Sequence, residues 1–113
     1  MVHIKRMQQD GADIIMPLGE IDAGSSIELD LTIAKSISEG NTRILIDCTG
    51  LDYISSAGLG VFMSYIEEMR DKNIRMVLFG LNHKVANTFE ILGLNRLLTI
   101  VHSKEEALRL VKA

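Results

Sequence analysis

The chain has 113 residues, 47% hydrophobic and 24% charged, with a formal net charge of −3. That length is one domain, 1–113, able to bury a core without staples, and that composition argues against a disordered chain. The acidic balance, with no run of Lys or Arg, argues against a general nucleic-acid binder, and the lone Cys48 excludes an internal disulfide and fits a reducing compartment.

The N-terminus, Met1-Val2-His3-Ile4-Lys5-Arg6, has no apolar h-region or cleavage-site pattern, and no apolar stretch approaches bilayer length. The expectation is a soluble, cytoplasmic protein without a cofactor. Val2 to Met7 alternates as a strand, Gln9-Asp10-Gly11 reads as a turn, and Asp13 to Leu18 follows as a second strand, so the two predict a hairpin. Pro17 lacks a backbone donor and suits an edge or a strand end.

Gly19 to Gly24 reads as a loop. Ser25 and Glu28 then have capping-box spacing, and Ile27, Leu31, Ala34 and Ile37 recur as one helical stripe that stops at Gly40. Arg43 to Cys48 carries the run Ile44-Leu45-Ile46, a buried strand of the parallel kind. Asp52 to Gly58 reads as a connection. The next helix has Leu59, Phe62, Met63 and Ile66 as its apolar stripe, with Ser64, Glu67, Glu68 and Asp71 elsewhere. Met76 to Phe79 is another buried strand. Asn82 caps a helix carrying Val85, Phe89 and Leu92 and ended by Gly93. Thr99 to Val101 forms a short strand, and Ser103 with Glu106 opens a last helix through Ala107, Leu108 and Val111.

Strands alternating with helices require crossovers, hence an α/β fold: a small mixed, mostly parallel sheet with an N-terminal hairpin. About four helices are expected, largely on one face.

Familiar catalytic patterns are missing from the sequence. It has no Cys-x-x-Cys, no paired-His metal pattern and no phosphate loop, and His3, His83 and His102 fall in different elements. Gly58-Leu59-Gly60 has Met63 where a dinucleotide fingerprint needs its third glycine. Ser56 has Ile54 where a nucleophile elbow needs glycine. Asp47 lies near a strand end, but an aspartyl-phosphate site also needs an acidic cluster, and the first two strands end without one. Ser55-Ser56-Ala57-Gly58-Leu59-Gly60 remains, with two readings. Serine caps the helix amides while glycine lets it pack closely on the sheet. Alternatively, a serine on the first turn lies where open α/β sheets place their sites, and phosphate there meets the positive end of the helix dipole.

Four segments carry a family resemblance: Leu18-Gly19-Glu20-Ile21-Asp22, Ile44-Leu45-Ile46-Asp47, Tyr53 to Val61, and Phe89-Glu90-Ile91-Leu92-Gly93-Leu94. In order along nearly the whole chain they resemble the STAS domain, and more narrowly the bacterial anti-sigma factor antagonists. The resemblance implies a protein that is not an enzyme. It binds an anti-sigma factor with serine kinase activity and so frees the sigma factor. It is then phosphorylated, released and reset by a serine phosphatase. Aligned on the glycine, the acceptor is Ser56; Ser55, which stands where many members have aspartate, is a neighbour with the same chemistry and the second choice. The implied docking face takes in Glu20, Asp22, Ser55, Ser56, Ala57, Gly58 and Gly60, together with Ser64 and Glu67 on the exposed side of the second helix. No nucleic acid or membrane is expected as a partner, and the oligomeric state is open between monomer and weak dimer. Two other readings are a non-switching STAS scaffold in a transport or signalling complex and a nucleotide-binding module.

Overall fold

The computed structural model describes residues 2–112; Met1 and Ala113, the ends of the expected domain, lie outside the described residues. Strand β1 (Val2–Gln9) runs antiparallel to β2 (Ala12–Ile21), with Gln9 opposite Ala12. Both residues between them have positive φ, Asp10 at 52° and Gly11 at 80°. That is the requirement of the two-residue hairpin turn whose twist matches its strands, and Asp-Gly meets it with little strain.

Strand β3 (Arg43–Asp47) pairs parallel with the first half of β2, Asp13 to Ile15. Strand β4 (Leu51–Ile54) pairs parallel with its second half, Gly19 to Ile21. Strands β5 (Arg75–Phe79) and β6 (Thr99–Val101) extend the parallel sheet from β3, giving the order β1-β2-β3-β5-β6 with β4 beside β2. Strand β4, apart from Leu51, falls in the segment expected as a connection. The loop expected from Gly19 begins instead as the end of β2.

The division of β2 between two partners explains Pro17, which sits in a central strand rather than at an edge. The Gly19 N–H points to Gly50 O at 2.9 Å. Pro17, two residues earlier, faces the same way, and its missing N–H falls in the gap between the β3 and β4 pairings.

The helices are α1 (Ser26–Ser38), α2 (Ser56–Ser64), α3 (Ile66–Asp71), α4 (His83–Ile91) and α5 (Lys104–Lys112). Four of them lie on one face. Leu29 and Ile33 of α1, Leu59 and Phe62 of α2, Met69 of α3, and Val85 and Phe89 of α4 pack there with Ile15, Ile44, Ile46 and Leu78 of the sheet. Phe62 and Phe89 join the α2 and α4 contributions, ring centroids 6.2 Å apart. Each such buried side chain contributes roughly 1.5–3 kcal/mol. On the other face α5 sets Ala107 and Val111 against Ile14, Leu45, Val77 and Phe79. The second expected helix is two. Its ladder is interrupted at Tyr65, where the Ser64 hydroxyl donates to Val61 O at 2.7 Å, a back-bond of the kind that bends helices.

Three side-chain expectations change. Helix α1 buries Ser26, Leu29, Ile33 and Ser36, leaving Ile27 64% and Leu31 65% exposed. Met63 and Leu92, expected in apolar stripes, are also exposed. The Ser25–Glu28 capping box does not form, because Ser25 is already bonded to Asp22. The caps at Asn82 and Ser103 form as expected, each accepting a bond from the backbone N–H three residues on, Val85 and Glu106.

One buried carboxylate holds β2 to α1. Asp13 is 1% exposed and accepts from the Arg6 guanidinium, the Ser36 hydroxyl and, at 3.4 Å, Asn41 Nδ2. These donors take the place of water around a charge whose unpaired burial would cost several kcal/mol. The Asp13 carboxylate in turn raises the Arg6 pKa, aided by Glu39.

Candidate functional site

The site forms where β2 and β4 end side by side. The Ser55 N–H donates to Ile21 O at 2.8 Å, which sets the β4–α2 junction against the last residue of β2. Asp22, the residue after Ile21, is thereby brought next to the Ser55 backbone.

Two local motifs hold the rims. On the first, Asp22 and Ser25 make a reciprocal pair. The Asp22 N–H donates to Ser25 Oγ at 2.8 Å, while the Ser25 N–H and O–H donate to Asp22 Oδ1 at 2.8 and 2.9 Å. This is capping-box logic displaced one turn upstream, and the Ser26 N–H continues it by donating to Asp22 O. The Ser25 N–H, then its hydroxyl, hold the exposed Asp22 carboxyl below the usual carboxylate range.

On the second rim Ser55 is the N-cap of α2. Its backbone is extended (φ −82°, ψ 169°), and its hydroxyl oxygen accepts from the Gly58 N–H at 3.2 Å. Ser56 is the first helical residue and is exposed; among the described residues its hydroxyl has no hydrogen-bond partner. The amides of Ser56 and Ala57 have no acceptor within the helix, as at any helix start. The two adjacent serines thus differ: one is engaged by the fold and the other is presented to solvent.

Glycine explains the close approach. A Cβ on Gly58 would lie 2.8 Å from Ile21 Cγ2 and 2.7 Å from Ile54 Cγ1, inside contact distance. Gly58 is buried, so the docking residue expected there is a packing residue instead. Gly60 and Ala57 are exposed. Glu20, opposite Tyr53 in the β2–β4 pairing, is exposed at the same end of the sheet. Ser64 and Glu67 are exposed but lie farther along: Ser64 is eight positions on from Ser56 in α2, about 12 Å at 1.5 Å per residue. The Lys84 ammonium from α4 stands 5.7 Å from the Tyr53 ring centroid, a neighbour that no spacing in the sequence announced.

The other candidate groups are occupied. Asp47 Oδ1 accepts from the Thr49 N–H at 3.0 Å and the Thr49 hydroxyl at 2.7 Å, a turn-forming arrangement. Cys48 is fully buried, and desolvation, with Asp47 beside it, raises its pKa and keeps it a thiol.

The family model of the STAS domain matches residues 3–107. The chain belongs to the STAS domain family. This STAS domain is 33% identical over 105 residues to the anti-sigma-B factor antagonist of Listeria monocytogenes, covering 93% of this chain and 91% of that one. Its fold is similar to that of an anti-sigma factor antagonist from Mycobacterium paratuberculosis, with a TM-score of 0.92 at 18% identity over 100% of this chain and 96% of that one. It is also similar to SpoIIAA, the Bacillus cell fate determinant, in its phosphorylated form, with a TM-score of 0.70 at 21% identity over 98% of this chain and 99% of that one. The sheet with its hairpin and the helices set largely on one face are those of the STAS fold. No helix among the described residues is long and apolar enough to cross a membrane.

Proposed function

We propose that this STAS domain is an anti-sigma factor antagonist working by partner switching in the cytoplasm. Unphosphorylated, it binds an anti-sigma factor that is also a serine kinase, and the sigma factor is released. Phosphorylation of Ser56 ends that binding, and a serine phosphatase restores it. The domain is a substrate in this cycle, not an enzyme.

The carrying observation is the Ser56 hydroxyl, exposed and unengaged on the first turn of α2, beside a cap that Ser55 alone fills. The kinship to the Listeria antagonist supports the partner class. In the transfer, Ser56 Oγ attacks the γ-phosphorus of ATP. The new P–O bond forms as the bond to the ADP oxygen breaks, and the hydroxyl proton passes to a base of the kinase. The product adds about 1.5–2 negative charges where the helix dipole and free amides favour an anion. The fold therefore tolerates the phosphate. A partner seated over Ser56 meets new bulk and charge beside Asp22 and Glu20.

With the organism's anti-sigma factor kinase and MgATP, mass spectrometry is expected to place one phosphate on Ser56, and Ser56→Asp is expected to lose binding. Phosphate on Ser55 alone, or on neither serine, would sink the proposal.

A further inference from the structure

The outer face of α2 has no ordinary reason to look as it does. The helix runs nine residues, SAGLGVFMS, without one charged side chain, yet Ser56, Ala57, Gly60, Met63 and Ser64 are exposed. Exposed helix faces are normally charged or polar. Met63 is 45% exposed, and it shares a stripe with Ser56 and Gly60 at helical spacing.

Gly60 sits between them. Its φ is not in the left-handed range, and a Cβ there would meet nothing within 4 Å. Neither backbone conformation nor packing requires glycine at this point, and only proline is a poorer residue for a helix interior. At Gly58, two residues earlier, the opposite holds: a Cβ would strike Ile21 and Ile54.

The neighbouring helix continues the surface. The Tyr65 hydroxyl donates to Asp30 at both its carbonyl and its carboxylate, which fixes the side of α1 that adjoins α2. Ile27, three residues before Asp30, and Leu31, one after, are the exposed apolar pair of α1, one turn apart. Asp22, Asp30 and Glu67 give the rim a negative charge.

We infer that Ile27 and Leu31 of α1 and the uncharged face of α2 form one docking surface for the kinase partner, with Gly60 the point of closest approach. Resting on the function proposed above, it identifies the occupant's chemistry: apolar anchors over Ile27, Leu31 and Met63, and a basic rim opposite the three carboxylates. The missing Cβ at Gly60 lets the partner's chain come down on the helix between Ser56 and Met63, so the hydroxyl and the reacting phosphate can meet.

The test uses the full chain and the purified anti-sigma factor kinase of the same organism. Gly60→Ala is expected to raise the melting temperature and yet weaken binding about tenfold or more. Ile27→Gln with Leu31→Gln is expected to keep the circular dichroism of the parent and weaken binding about tenfold. Either variant binding within about twofold of the parent overturns the inference, as does a lower melting temperature for Gly60→Ala. Ser56→Asp, measured alongside, separates the two claims: its binding like the parent would overturn the switch itself.

Discussion

Gly58 lies against Ile21 so closely that a Cβ would come within 2.8 Å of the isoleucine's Cγ2. Ile21 is fully buried and ends β2, so it cannot yield without disturbing the strand that carries Asp22. Gly58→Ala is therefore expected to destabilise the domain by about 1–3 kcal/mol, the usual cost of overpacking. Gly60→Ala should stabilise it by up to about 1 kcal/mol through helix propensity. Paired denaturant titrations check the contrast. Equal effects at both positions would refute the assignment of Gly58 to packing.

Ser55 and Ser56 are expected to separate by readout. Ser55→Ala removes the acceptor of the Gly58 N–H and should cost about 1 kcal/mol of stability. Ser56→Ala deletes an exposed hydroxyl with no partner and should stay within about 0.5 kcal/mol of the parent. Phosphate incorporation reverses the order: abolished in Ser56→Ala, retained in Ser55→Ala. The measurements are a urea melt and an intact-mass assay with kinase and MgATP. A stable Ser55→Ala that takes no phosphate would overturn the division of labour.

The Asp13 cluster makes a prediction of a different kind. Arg6 is its cationic partner and also bonds Glu39, tying β1, β2 and the end of α1 together. Arg6→Met keeps much of the side-chain volume but leaves a carboxylate that is 1% exposed with only the Ser36 and Asn41 donors. Breaking a buried pair from one side costs roughly 3–5 kcal/mol, and this case belongs at the low end because Arg6 is partly exposed. A change under about 1 kcal/mol in a denaturant titration would show that the remaining donors suffice.

The elements legible in the sequence were those with one dominant signal. The Asp-Gly turn, the apolar runs at Ile44 and Met76, and the caps at Asn82 and Ser103 each left one reading open. Strand β4 was hidden because Leu51, Asp52, Tyr53 and Ile54 are buried at the ends and exposed in the middle, without the alternation that marks a strand. Its pairing with β2 also shifts register between Gly19 and Glu20, so no regular pattern was there to find. Helix α1 was legible as a helix but not in its orientation. Ile27, Leu31 and Ala34 make as good a stripe as Leu29 and Ile33, and the buried face includes Ser26 and Ser36, which periodicity counts as outward. Ser36 is inside because Asp13 needs its hydroxyl, a reason that exists only once β2 and α1 meet. At the site, the serine-glycine segment could be singled out from sequence. The assignment of capping to Ser55 could not, because either serine can fill a cap until the backbone of each is known.

Asp22 supplies the last prediction, a titration. Its carboxyl is held below the ordinary range, first by the Ser25 N–H and then by the Ser25 hydroxyl. A lowered folded-state value means that the unfolded chain binds the proton more readily. The stabilisation is therefore complete above the unfolded value of about 4 and is lost as pH falls through the lowered folded value. At neutral pH Asp22 is therefore a carboxylate, a fixed negative charge at the end of β2. Carbon-detected NMR of the Asp22 carboxyl should give a midpoint below that of an unstructured aspartate. Ser25→Ala keeps the N–H donor and removes the hydroxyl, so the midpoint should move part of the way back up. A parent midpoint at or above the unstructured value would mean that the Asp22–Ser25 pair does not hold the carboxylate, and that the rim beside Ser56 is set by some other contact.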